Sequence, residues 1–160
     1  MNIFYLSPCP KQSAKDQCDK HVVKMILESA QMLCTAHRFL DSPEWADEAG
    51  LYKMVHKNHP SSIWVRSSVH NYTWLYVHMV ALMNEYTNRY AKHHASEKLS
   101  FALGQPPKKI PTVDFTDPPQ CMPDEYKNAD TVTAYRDYYK GEKSNFAKWD
   151  YSEQPDWWAA

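Results

Sequence analysis

Apolar positions recur with a helical period over most of the chain. Behind a capping-box-like pair, Ser13 and Asp16, the residues Val23, Ile26, Leu27, Ala30, Leu33 and Cys34 predict a helix over about 14–40. Ser42 ahead of Pro43, with Gly50 as a stop, predicts a short second helix over EWADEA. The stretch YKMVHKNHP reads as a loop, because a residue before proline is biased away from helical dihedrals. Beyond Pro60 a long amphipathic helix runs toward His93 on the stripe Tyr72, Leu75, Tyr76, Met79, Leu82, Met83, Tyr86 and Tyr90. Ser67 and Ser68 mark a break in it, since their hydroxyls compete for backbone hydrogen bonds.

Ser96 caps a further short helix that ends at Gly104. Residues 105–123 carry six of the eleven prolines and no sustained period, which predicts a surface strap within one domain spanning 1–160. A last helix is expected over about 130–149, weakest at Gly141, and the tail EQPDWWAA should pack its two tryptophans onto the domain or a partner. Ile3 to Leu6 is either a short strand or an extended tether. The fold class is therefore mostly α, a single domain built around two long helices.

Composition narrows the function. Three glycines allow neither a dinucleotide fingerprint nor a Walker loop. The four cysteines form no C-x-x-C pair, so free thiols are expected. No apolar run reaches the roughly 20 residues that span a bilayer, and the N-terminus lacks a basic start followed by an apolar stretch. A cytoplasmic protein without membrane contact is the expectation, its oligomeric state left open. With a net charge of -1, any nucleic-acid contact must use a local basic patch.

His21, Lys24 and Glu28 fall on one polar stripe of the first long helix. A plain solvated stripe, with a Lys24–Glu28 pair worth about 0.2 to 0.5 kcal/mol, is one reading. Met25 and Met32 flank the stripe, and such apolar cover points instead to a pocket holding a carboxylate. Lys57, Asn58, His59 and Arg66 gather at a helix start and form the first candidate phosphate site. Arg136 and Lys140, one turn apart on the last helix, form a second. Trp64, Tyr72 and Trp74 carry rings that can stack bases, although rings more often fill cores and interfaces. His56 and His59 are spaced as H-x-x-H, but no H-E-x-x-H or E-x-x-H occurs, and no metal or cofactor is expected.

Three stretches together resemble the phage endonuclease V family of pyrimidine-dimer DNA glycosylases. One is the D-x-H-x6-E arrangement of Asp19, His21 and Glu28 after a short N-terminal tether. Another is HKNHPSSIWVRSSVHNYTWL leading into a helix with Glu85 and Arg89, and the third is PDEY with a final helix and the ending PDWW. The chain also resembles small proteins of tailed-phage genomes, which would place it in the host cytoplasm. The resemblance implies a terminal amine that attacks the sugar C1′ to form a Schiff base, and a helix carboxylate that assists. Those roles fall on Met1, which the bulk of Asn2 protects from removal, and on Glu28, with His21 beside it and Lys24 as an alternative amine. The chain departs from the family in carrying Asn2, Leu27 and Gln31 where arginines are the rule. The leading expectation is an enzyme acting on a nucleobase or nucleotide in DNA, most specifically a glycosylase/lyase. The alternatives are a base-modifying transferase or free-nucleotide enzyme on the same fold, and a non-enzymatic module that binds a nucleotide or a host protein.

Overall fold

The computed structural model describes residues 1–159. More than half of the chain is helical, with no strand among the described residues. The helices are α1 (Pro10–Asp16), α2 (Asp19–Leu40), α3 (Pro43–Glu48), α4 (Pro60–Arg66), α5 (Val69–Tyr90), α6 (Ser100–Leu103) and α7 (Thr131–Glu142). Short 3-10 turns cover Ala95–Leu99, Asp124–Tyr126 and Asp156–Trp158. No described helix is long and apolar enough to cross a membrane. The core lies where α5 packs against both α1 and α2, with α4 fitted onto α2. Its largest fully buried side chains include Tyr72, Tyr135, Tyr139, Ile26, Leu33 and Leu75.

The first long helix is broken, unlike the continuous run expected over 14–40. Gln17 is extended, with φ -70° and ψ 139°, and α2 restarts at Asp19. The cause is Arg89 on α5, whose guanidinium is inserted at the break. It donates to the carbonyls of Gln17 at 2.8 Å and Lys15 at 3.0 Å, and to Asp19 at 3.1 Å and Glu85 at 2.9 Å. Carbonyls that a continuous helix would satisfy internally thus pair with a buried cation. Ser13 caps nothing. It is buried inside α1, where its hydroxyl donates to the Phe4 carbonyl and accepts from the Leu6 N–H.

Ile3 to Leu6 is the tether, not a strand, and all four residues are buried. The second long helix breaks at Ser67 and Ser68, where the Ser68 hydroxyl accepts from the His70 N–H. Ser42 caps α3 through the Trp45 N–H, but His94, not Ser96, caps the 3-10 turn before α6. The strap is fixed to this corner: Trp64 donates to the Thr116 carbonyl, the Asn71 amide bonds Thr116, and Val69 N–H meets the Pro111 carbonyl.

The last helix ends at Glu142, short of the span expected to 149. At Gly141 an added Cβ would meet the Tyr126 ring, so the ring could keep its present place only over glycine. The tail folds back onto α1, where Trp149 donates to the Asp16 carbonyl and Trp157 to its carboxylate.

Candidate active site

The N-terminus is held by its own second residue. The Asn2 side-chain oxygen accepts from the N–H groups of Ile3 at 2.7 Å and Phe4 at 3.2 Å, an Asx-turn geometry that short amide side chains favour. Its NH2 donates to the Cys121 carbonyl in the strap at 3.0 Å. Phe4 then takes the left-handed conformation, φ 58°, and turns the chain into the core. The Met1 side chain is only 4% exposed and packs against that core. Between a buried side chain and a tethered neighbour, the α-amine has little freedom. It lies 3.5 Å from Glu28 Oε1.

Glu28 projects from the middle of α2 with 18% of its side chain exposed. The exposed Leu27 precedes it, so the carboxylate sits at an apolar rim open to solvent. His59 borders the same place from α4. Its Nδ1 accepts from the Ser61 N–H at 3.1 Å, which caps α4 and leaves the ring proton of the neutral form on Nε2. Burial lowers the His59 pKa, the Met1 amine and His56 lower it further, and Glu28 opposes them. These influences on His59 place the amine and the carboxylate within its electrostatic reach. Ser61 Oγ lies 3.5 Å from Cys121 Sγ behind it.

The other expected residues are placed differently. His21 does not share the open face: it is 5% exposed, stacked on Phe4 at 4.4 Å, with Nδ1 2.6 Å from the Tyr139 hydroxyl. Burial, with Lys143, Lys24 and Lys20 nearby, pushes its pKa down to about 3. The α2 polar face is not open along its whole length, because the tether and α7 cover its His21 end. Met25 and Met32 belong to the core and do not roof the stripe. Lys24 is exposed beside the site.

Lys57 and Asn58 are exposed in a loop whose His56 adopts φ 47°. Arg66 braces that loop by donating to the Lys57 carbonyl at 2.5 Å, and its guanidinium stacks over Phe39 at 4.0 Å. Arg136 donates to the Leu6 carbonyl and faces the Trp157 ring; Lys140 is half-buried on the same helix. Trp64, Tyr72 and Trp74 are buried, with polar atoms engaged by Thr116, Leu103 and Pro8. Their expected availability for base stacking is corrected by that packing, since large rings at helical spacing fill a core first.

The tethering role of Asn2 and its partner Cys121 are the parts of the site that the sequence pattern does not announce. Asn2 carried a signal, its preference for bonding its own downstream backbone. The Cys121 carbonyl carried none, because the contact spans 119 positions.

A family model described as pyrimidine dimer DNA glycosylase matches residues 1–98. Those residues contain Met1, Asn2, Glu28, His59 and the Asp19–Arg89 lock, and exclude α7 and the tail. No curated protein and no solved structure matches the chain. With the matched segment covering more than half of its length and ending beyond α5, the chain belongs to the pyrimidine dimer DNA glycosylase family.

Proposed function

We propose that this protein is a DNA glycosylase with associated lyase chemistry, in which the Met1 α-amine is the nucleophile and Glu28 its proton-handling partner. The observation that supports this most is the 3.5 Å approach of the amine to the carboxylate at a partly open surface. The amine nitrogen bonds to the deoxyribose C1′ while the glycosidic bond breaks. The electron pair of that bond leaves with the base, which takes up a proton. The nitrogen sheds its own protons to Glu28 and solvent as the sugar ring opens to the imine. Removal of a C2′ proton then expels the 3′ phosphate.

The approach of the amine to Glu28 favours Met1 over the exposed Lys24 as the nucleophile. His59 is assigned to hold phosphate or polarise the sugar through its Nε2–H, and His21 to position the tether. Lys24, Lys57 and Asn58 supply the local polar and positive surface that a chain of net charge -1 needs for DNA. Arg66, Arg136 and Lys140 extend this surface in the same reading.

The test is borohydride trapping on duplexes carrying a cyclobutane pyrimidine dimer or an abasic site. A covalent adduct is expected with the native chain and its loss on acetylating the N-terminus. An adduct that survives N-terminal blocking would overturn the assignment of the amine.

A further inference from the structure

On the face of α2 opposite Glu28 lies a cleft that the glycosylase chemistry does not use. His37 follows Glu28 by nine residues, which is about 13 Å along the helix and half a turn around it. The cleft, about 550 Å³, is lined by His37, Asp41, Trp45, Pro106, Lys108 and Lys109 among others. That size lies within the range of small-ligand sites.

Its chemistry is asymmetric. Trp45 is 40% exposed, with its ring 5.0 Å from that of His37, an aromatic wall open on one side. The Asp41 carboxylate accepts hydrogen bonds from the backbone N–H groups of Lys108 at 2.7 Å and Lys109 at 3.1 Å. This fixes the strap across the mouth of the cleft and leaves both lysine side chains exposed at its rim. The lining thus carries two lysines against one carboxylate, and that carboxylate already holds the strap.

The wall also fixes the His37 ring. The Tyr72 hydroxyl spends its one hydrogen on the Leu103 carbonyl at 2.7 Å, so its 2.9 Å contact with His37 Nε2 requires the hydrogen to be on Nε2. Burial lowers the His37 pKa, and Asp41 and the Gln105 backbone oppose that shift.

We propose that this cleft binds a nucleotide, its base against Trp45 and its phosphate between Lys108 and Lys109. A planar ring and an anion are the two features the walls complement, and a nucleotide carries both. The source can be a free mononucleotide or a nucleotide within a single strand. The site does not depend on the Met1–Glu28 reading.

Calorimetric titration of the full chain with the four deoxynucleoside monophosphates, the matching nucleosides, inorganic phosphate and a short single-stranded oligonucleotide tests it. At least one monophosphate, or the oligonucleotide, should bind about tenfold or more tightly than the nucleoside or phosphate alone. Tighter binding of the oligonucleotide than of any monophosphate assigns the source as a strand. Trp45→Ala and a Lys108→Ala/Lys109→Ala double variant should each weaken it about tenfold or more while melting near the native temperature. Glu28→Gln should bind as the native chain does. Absence of binding by all probes at millimolar concentration, or affinity unchanged in both cleft variants, would overturn the proposal.

Discussion

Two residues two turns apart on α2, His21 and Glu28, share the N-terminal tether and differ in everything else. Phe4 stacks on His21 at one end, and the Met1 amine faces Glu28 at the other. His21 has a hydroxyl partner at 2.6 Å and aromatic neighbours in Phe146 and Tyr139. Glu28 meets one partner, at 3.5 Å, on an open surface. A polar group whose bonds are all made inside the fold holds structure. One that is positioned but only loosely engaged can exchange a proton with something that arrives. The comparison therefore assigns stability to the His21 end and chemistry to the Glu28 end.

The largest effect that can break this assignment is expected at Glu28. Glu28→Gln keeps the shape of the side chain and removes its ability to accept a proton. Adduct formation on a dimer-containing duplex should fall about 10²- to 10⁴-fold. Unfolding free energy should change by no more than about 1 kcal/mol, because the ion pair is single and partly solvated. Normal trapping kinetics would sink the catalytic role.

Acidification sharpens the other end. His21 is pushed down to about 3 and His78 to about 4, both by burial, from an ordinary value of 6.5. Below pH 6.5 the unfolded chain binds protons that the folded chain refuses. Stability is therefore whole near pH 7 and is lost as pH falls toward 4. Each group should remove about 2 kcal/mol by pH 5. Denaturant titrations between pH 7 and 5 read this directly, and stability that held steady or rose would contradict the burial of these rings.

Replacing His21 separates its contribution from that of His78. His21→Phe retains an aromatic ring against Phe4 and deletes the contact with Tyr139, whose hydroxyl still has the Cys18 N–H and thiol nearby. A loss of about 1 to 3 kcal/mol is expected, with the His21 share of the acid sensitivity, about 2 kcal/mol at pH 5, removed. Trapping per folded molecule should stay native. A selective loss of trapping in a fully folded variant would return His21 to the chemistry.

Most of the architecture was legible in the sequence because it is local. Helical periodicity marked α2 and α5, and serine caps marked α3 and the Ser67–Ser68 break. What periodicity missed was imposed from far away: Arg89 splits the first helix, and Tyr126 packs onto Gly141 near the end of the last. The candidate site divides the same way. Glu28 was legible as a carboxylate on a polar stripe, whereas the burial of His21 depended on Phe4, Tyr139 and Phe146 arriving from both ends of the chain. Trp64, Tyr72 and Trp74 show the cost of reading ring type without burial, since all three support the core.

The smallest expected effect comes from Lys24, which lies between the two ends and tests whether position on the stripe is enough to confer function. Its side chain is exposed and lies one turn before Glu28, the weaker orientation for a helical pair. Lys24→Ala should alter stability by no more than about 0.5 kcal/mol. If the terminal amine is the nucleophile, the variant should still be trapped by borohydride on an abasic duplex at a native rate at low salt. Loss of one cation near the site should then show only as slightly weaker duplex binding and a shallower salt dependence, reduced by about one counterion. Loss of the adduct in Lys24→Ala, with trapping intact after N-terminal acetylation, would transfer the Schiff-base role from Met1 to Lys24. Glu28 would then serve a lysine one turn away, and its pairing with the terminus would be structural.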